Sequence, residues 1–214
     1  LLDQRANEGA FIQLPPAAVT DAGFDFPAGS TNEGFTASVD WGDGTTEPLG
    51  DITLAKVGGA EGTPTSGTIQ ARHAYADNGT YTAKVTVSDD DGGISSSTFK
   101  VTVANVAPVL AALPDQDASE GAFIQLPPAA FTDPGFDNPA GGTSEGFTAT
   151  ISWGDGTTEP SGDITLAKTN GSEGTPTAGT IQAKHAYADD GVYTVRVAVF
   201  DDDAEFPGAD ILFG

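Results

Sequence analysis

The stretch "FTASVDWGDGTTEPLGDITLAK" (35–56) decides the fold. Phe35, Ala37, Val39 and Trp41 alternate with Thr36, Ser38 and Asp40, which is the period of a strand with one face buried. The strand then stops. Gly42 and Gly44 can take positive φ and Asp43 can bond its own backbone, so Gly-Asp-Gly reads as a tight turn with Asp43 as architecture. The string "FTATISWGDGTTEPSGDITLAK" (147–168) repeats the pattern, with Asp155 in the place of Asp43.

The repeat extends over the whole chain. Asp3 and Asp115, Trp41 and Trp153, and His73 and His185 are each 112 positions apart, and at that offset about two thirds of the overlapping residues are identical without a gap. A unit of about 100 residues is domain-sized and too long for a solenoid turn. Two domains are therefore expected, 1–106 and 107–214, joined by the Pro-containing "NVAPVLAALP". In the first copy, strands are predicted at 10–20, 34–41, 48–55, 67–75, 80–88 and 96–105, separated by Gly, Pro and Asp clusters. No segment has helical apolar spacing with caps. The predicted fold is all-β: two tandem antiparallel β-sandwiches of about seven strands each.

Composition narrows the partners. With 31 acidic residues against 8 Lys and Arg, the 214-residue chain carries a net charge of −23. That charge repels phosphate backbones and anionic lipid, so neither nucleic acid nor a membrane is expected as a partner. The absence of Cys removes disulfides and thiol chemistry. No Met is present even at position 1, which suggests a processed chain or a piece of a longer one, and no signal peptide is recognised. The longest nearly apolar run, "VTVANVAPVLAALP" (101–114), is too short and too Pro-interrupted to span a bilayer. Leu, Ile, Val and Phe make up only roughly a fifth of the chain, close to the disordered range, but strict alternation in "YTAKVTV" (81–87) argues for folded strands.

The last strand breaks the repeat. "SSSTFKVTVANV" (95–106) has no counterpart at the end of the second copy, which reads "PGADILFG" (207–214). Either a shorter strand closes that sheet, or an edge stays open that a neighbouring chain could fill by strand addition, for instance with "FIQLPPAAV" (11–19).

The ordered pieces "WGDGT", "HAYADNGTYTAKVTVSDDDGG" and "HAYADDGVYTVRVAVFDDD" resemble the polycystic kidney disease (PKD) domain family over nearly all of both copies. One departure is the stretch of about 28 residues between "GDG" and "HAY", which looks like an added hairpin. The resemblance implies an immunoglobulin-like sandwich from a cell-surface or secreted protein, bacterial ones included, serving as a non-catalytic spacer, adhesive or accessory module.

His73 and His185, the two histidines, lie on alternating strands without Cys or Ser partners in sequence reach and read as packed structural residues. Tyr75 with Tyr81, and Tyr187 with Tyr193, read as core rings with hydroxyls bonded to turn backbone. Nothing marks a Ser as a nucleophile, and no enzyme is expected. The acidic loops carry the chemistry. Asp21 with Asp25, and Asp133 with Asp137, sit four apart in Gly-containing loops, and Asp89 to Asp91 and Asp201 to Asp203 form acidic turns. By the resemblance these loops share one pole of each sandwich. Two readings stand: solvated acidic turns, or Ca²⁺ sites in which Asp21, Asp25, Asp89 and Asp91, and Asp133, Asp137, Asp201 and Asp203, supply oxygen ligands. The resemblance adds Asn105 to the second site, where an ion would stiffen the joint. Phe24, Phe26 and Phe136 in the same loops read as plugs for the end of the core. "NGT" (78–80) and "NGS" (170–172) match the glycosylation sequon, relevant in a eukaryotic host.

Residues and resemblance together lead to the expectation of a non-catalytic extracellular structural or adhesive repeat, on a bacterial surface or in a fibre, rigidified by Ca²⁺ if the second reading of its acidic loops holds. Its expected partners are neighbouring copies and surface glycans or proteins. The alternative is a carbohydrate- or protein-binding appendage of a secreted hydrolase.

Overall fold

A computed structural model describes residues 1–47, 52–159, 164–203 and 209–213. The chain divides into two compact units, Leu1–Ala104 with Pro139–Gly142, and Asn105–Asn138 with Thr143–Gly214. Both are all-β, immunoglobulin-like sandwiches.

The first unit contains β1 (Gln4–Asn7), β2 (Phe11–Gln13), β3 (Ala17–Asp21), β4 (Phe35–Asp40), β5 (Thr46–Glu47), β6 (Thr53–Val57), β7 (Thr65–Gln70), β8 (Arg72–Ala74), β9 (Gly79–Asp89) and β10 (Ile94–Ala104). One sheet has the order β1-β10-β9-β4-β5, the other β3-β7-β6, and β2 pairs with β8. The predicted strand 10–20 is two strands. Pro15 and Pro16 have no N–H to donate, so pairing stops there, β2 stays with β8, and β3 pairs with β7. The predicted strand 67–75 breaks likewise at Ala71, whose carbonyl accepts the Leu14 N–H at 2.8 Å. Of the predicted strand 48–55, residues 48–51 lie outside the described residues, and the strand found is Thr53–Val57. The long stretch after Gly-Asp-Gly carries the antiparallel hairpin β6–β7.

Alternation places the core between the sheets. Ala37 and Val39 of β4, Ala83, Val85 and Val87 of β9, and Phe99, Val101 and Val103 of β10 are buried, and with Ile12, Leu14, Trp41, Ile69 and Tyr75 they form one cluster. The parallel pairing of β1 with the end of β10, Gln4 opposite Val101 through Asn7 opposite Ala104, was not expected from the sequence.

The second unit contains β11 (Val109–Leu110), β12 (Phe123–Gln125), β13 (Ala129–Asp133), β14 (Phe147–Ser152), β15 (Thr158–Glu159), β16 (Thr165–Thr169), β17 (Thr177–Gln182), β18 (Lys184–Ala186), β19 (Val195–Asp201) and β20 (Ala209–Phe213). Its sheets run β15-β14-β19-β20 and β11-β13-β17-β16, with β12 on β18. Leu126, Phe131, Ile151, Trp153, Ile181, Val197 and Val199 fill the core. Strand β19 starts four residues later than β9 does in the repeat, and among the described residues β20 pairs with Val195–Val199.

Candidate functional site

The Trp-Gly-Asp-Gly motif is architecture in both units. Gly42 has φ 81° and a Cβ there would lie 2.6 Å from the Thr82 carbonyl oxygen; Gly154, at φ 82°, would place one 2.5 Å from the Thr194 carbonyl. Any side chain is thus excluded by both conformation and space. Asp43 Oδ1 accepts the Thr45 N–H at 3.0 Å and its hydroxyl at 2.5 Å, while Oδ2 meets His73 Nε2 at 2.8 Å. His73 is buried and stacked on Trp41, with ring centroids 5.0 Å apart. Burial works to raise the Asp43 carboxyl, but the bonds from His73 and Thr45 outweigh it and leave it below its ordinary value. In the second unit Asp155 is drawn down to about 2, foremost by the Thr157 hydroxyl, and His185 Nε2 meets it at 2.8 Å. A hydrolytic triad needs the acid on one ring nitrogen and the nucleophile on the other. At His73 the Asp43 carboxylate and the Thr45 hydroxyl both face Nε2, at 2.8 Å and 3.5 Å, and the hydroxyl donates to the acid, so the arrangement clamps the turn.

Tyrosines complete the frame. Tyr75 OH donates to the Trp41 carbonyl at 2.9 Å and Tyr187 OH to that of Trp153 at 3.0 Å, while Tyr81 and Tyr193 cap the turns through the carbonyls of Asp77 and Asp189.

The acidic pole of the second unit has the chemistry of a cation site. Asp133 ends β13 with 1% exposure. Its Oδ1 accepts the Gly135 N–H at 2.7 Å, and its buried Oδ2 has no hydrogen-bond partner among the described residues. Burial first, then the charges of Asp201 and Asp202, push its carboxyl up to about 6 against the Gly135 bond. Asp201, also buried, is raised by burial, opposed by the Asn105 amide, which donates to Asp201 Oδ1 at 3.3 Å. Asn105 Oδ1 is a second buried oxygen without a described partner. Glu145 is 6% exposed, and a Cβ on Gly135 would collide with its Oε2 and lie 3.0 Å from Asp133 Oδ1, so both carboxylates border the same glycine. Carboxylates and an amide oxygen are the donor set of a hard divalent cation.

The sequence-derived candidates do not all share this environment. Asp137 Oδ1 is committed to Lys168 at 3.0 Å and to the Glu145 N–H at 2.9 Å; burial raises its carboxyl but these bonds prevail and lower it. Asp203 is half-buried at the end of the acidic turn. In the first unit Asp25 is paired with Lys56 at 2.9 Å, and that bond, followed by the Glu33 N–H, lowers it. Asp21 Oδ1 accepts the Gly23 N–H at 2.6 Å, Asp89 Oδ1 accepts the Gly93 N–H at 2.7 Å, and Asp91 is exposed. Sequence reasoning missed Glu33 and Glu145. Glu33, 8% exposed, is raised by burial and then by Asp21, Asp90, Asp91 and Asp89. Both glutamates stand alone before "GF", 12 residues after Asp21 and Asp133, and nothing in an isolated loop Glu signals burial. Both lysines were missed too; Lys56 and Lys168 also donate to the Glu33 and Glu145 carbonyls.

Elsewhere in the second unit, Glu120, Asp189 and Asp190, all exposed, bring carboxylate oxygens within 4.8 Å of one another. Of the loop phenylalanines, Phe136 is buried as expected of a core plug, Phe24 is half-buried, and Phe26 is 52% exposed, so it plugs nothing. No helix among the described residues is long and apolar enough to cross a membrane.

No family model and no curated protein matches this chain. Among solved structures it is similar to the fibronectin(III)-like modules of Clostridium thermocellum CbhA, at 14% identity and TM-score 0.30, covering 99% of this chain and 87% of that one. It is also similar to Dpr2 Ig1-Ig2 in complex with DIP-Theta Ig1-Ig3, at 10% identity and TM-score 0.33, covering 100% and 60%. The fold assignment rests on the strand pairing and cores described above rather than on likenesses of this size.

Proposed function

We propose that the chain is a non-catalytic, PKD-like structural or adhesive repeat of an extracellular, bacterial surface or fibre protein, and that Ca²⁺ rigidifies its second unit. One observation carries the calcium reading: Asp133, almost fully buried, keeps a carboxylate oxygen without a described partner beside two further buried acids, Glu145 and Asp201. Such charges repel one another and are costly to bury unless a cation enters or protons neutralise them. Asp133, Glu145, Asp201 and Asn105 would hold the ion, which would supply positive charge and fix Asn105 at the entry of the unit. The first unit has the corresponding acids Asp21, Glu33 and Asp89, but Asp21 and Asp89 are half-buried where Asp133 and Asp201 are buried, and it is the weaker candidate. Support for a non-catalytic role comes from the histidines, both held in turn clamps.

Melting in EDTA and in millimolar Ca²⁺ tests the proposal. An ion bound only by the folded state stabilises by roughly 2.7 kcal/mol at a hundredfold excess over Kd. The shift should disappear in Asp133→Asn/Asp201→Asn. Equal melting of the unsubstituted chain in both buffers would make these loops ordinary acidic turns.

A second reading, a glycan- or protein-binding appendage, has one observation in its favour. Phe11 and Phe123 occupy the same repeat position, are 45% and 74% exposed, and lie 4.7 Å and 5.1 Å from Arg72 and Lys184. A saturable glycan-array signal lost in Phe11→Ala/Phe123→Ala would favour it.

A further inference from the structure

The basic residues of the first unit are few and unevenly placed. Lys56 is paired with Asp25, and Arg72 lies over the Phe11 ring. Arg5, Lys84 and Lys100 are exposed and, among the described residues, have no ion pair. All three stand on the outer face of the β1-β10-β9-β4-β5 sheet, because Ala6, Ala83, Val85, Phe99 and Val101 take the alternate positions that point into the core.

The register draws these cations into a line. Arg5 of β1 faces Thr102, Lys84 of β9 faces Thr98, and Lys100 lies midway between those two threonines on β10. Each cation is therefore one strand over and two residues along from the next. Diagonal neighbours in a sheet lie roughly 7–8 Å apart, so the stripe is roughly 15 Å long. Two acids border it, and each turns an oxygen to a backbone N–H: Asp40, opposite Lys84, to that of Gly42 at 2.9 Å, and Asp3 to that of Lys100 at 2.8 Å. The acidic turn of the unit is further off. At a rise of roughly 3.4 Å per residue, Asp89 lies roughly 17 Å along β9 from Lys84, about two screening lengths in physiological salt. The net charge of −23 therefore does not cancel the stripe at close range.

Around the stripe the face is made of hydroxyls. Thr80, Thr82 and Thr86 on β9 and Ser96, Thr98 and Thr102 on β10 all take outward positions. Among the described residues of β4, β9 and β10, Ile94 at the far end is the only large apolar one pointing outward. A protein partner needs apolar or aromatic anchors, and single-stranded nucleic acid needs aromatic platforms; neither is found among these residues. A line of cations set in hydroxyls matches instead an extended polymer that carries hydroxyls of its own and carboxylates at intervals. The second copy does not repeat the surface: Asp117, Ala198 and Phe200 occupy the positions of Arg5, Thr86 and Ser88.

We propose that the outer face of β1, β10 and β9 in the first unit binds a linear acidic polysaccharide. Its carboxylates would pair with Arg5, Lys100 and Lys84, and its hydroxyls would bond the flanking threonines and serines, so that the polymer lies along the stripe at a slant to the strands. The inference rests neither on the calcium reading, which concerns the second unit, nor on Phe11 and Phe123, which belong to the pairs of β2 with β8 and of β12 with β18.

The test titrates the whole 214-residue chain with polygalacturonate in EDTA, followed by isothermal calorimetry. Saturable binding is expected, weakening by about tenfold or more when salt rises from about 0.05 M to about 0.5 M, because the charges become screened. Arg5→Gln/Lys84→Gln/Lys100→Gln, all at exposed positions, should lose about tenfold or more in affinity while unfolding as the unsubstituted chain does. No saturable binding overturns the proposal, and so does undiminished binding by the triple variant. Equal affinity for single-stranded DNA of matched charge would overturn it too, by reducing the surface to an ion exchanger, as would equal affinity for neutral dextran, by removing the role of charge. Binding lost in Phe11→Ala/Phe123→Ala but kept in the triple variant would assign the polysaccharide to the aromatic patches instead.

Discussion

Asp133→Asn separates a buried charge from a buried shape. The wild-type carboxyl titrates at about 6 in the folded unit against an ordinary 3.8. Because the folded value is raised, the folded state holds the proton more tightly. The associated stability is fully present below pH 3.8 and is lost as pH rises through 6. With Asp133 only 1% exposed, solvent screening discounts little, and the difference between the two values corresponds to about 3 kcal/mol. Asparagine keeps an oxygen for the Gly135 N–H and does not titrate. The stability of Asp133→Asn relative to wild type should therefore increase by about 3 kcal/mol between pH 4 and pH 8 in EDTA, whatever its offset at pH 4. Urea unfolding of both proteins at each pH, followed by Trp fluorescence with the two transitions resolved, gives the comparison. Millimolar Ca²⁺ should shrink the gain at pH 8, because an ion bound to the carboxylate supplies the compensation that neutralisation otherwise provides. A stability difference constant from pH 4 to pH 8 would refute the reasoning, since it would mean that Asp133 ionises in the folded unit without penalty.

The turn glycines should rank by space. Gly42→Ala meets the Thr82 carbonyl, whereas Gly92, at φ 93°, has nothing within 4 Å, so Gly92→Ala should cost about 1 kcal/mol of backbone strain and Gly42→Ala clearly more in denaturant unfolding. Tyr75→Phe removes a donor from the buried Trp41 carbonyl and should cost about 1–2 kcal/mol, with Tyr187→Phe costing less because the residue as a whole is less fully buried, 8% exposed against 0%. Lys168→Met takes the cation from Asp137, whose carboxyl is lowered in the folded unit. A lowered carboxylate stabilises above its ordinary value of 3.8 and loses that contribution as pH falls below it, so this variant should lose about 1 kcal/mol at pH 7 and little at pH 2, as measured by urea titration.

The frame was legible because its signals are local. Alternation along 35–41 and 81–87 places Ala37, Val39, Val85 and Val87 in the core, and two glycines around one aspartate announce the turn that the positive φ angles display. What the sequence concealed is pairing across distance. His73 has no partner within reach along the chain, yet the turn brings Asp43 to its ring across 30 residues. Asp25 and Asp137 resemble their acidic neighbours in composition, but lysines 31 residues downstream neutralise them, which sets them apart from Asp133. Glu33 and Glu145 look like ordinary loop residues until their turns fold them beneath Gly23 and Gly135.

The duplication supplies its own control for how far a motif determines its environment. The Thr, Asp, His, Trp and Tyr of the turn clamp are identical in both copies, and the distances from histidine to aspartate agree at 2.8 Å. Their surroundings do not agree: the Asp43 side chain is 6% exposed and that of Asp155 18%, and the histidines follow at 4% and 10%. No residue of the clamp accounts for this. The divergence follows the packing around the tryptophans: Phe99 stacks edge-on against Trp41 at 6.5 Å, while Trp153 borders a cavity of about 440 Å³. Local sequence thus sets the geometry of the clamp, and packing contributed from far along the chain sets how dry it is.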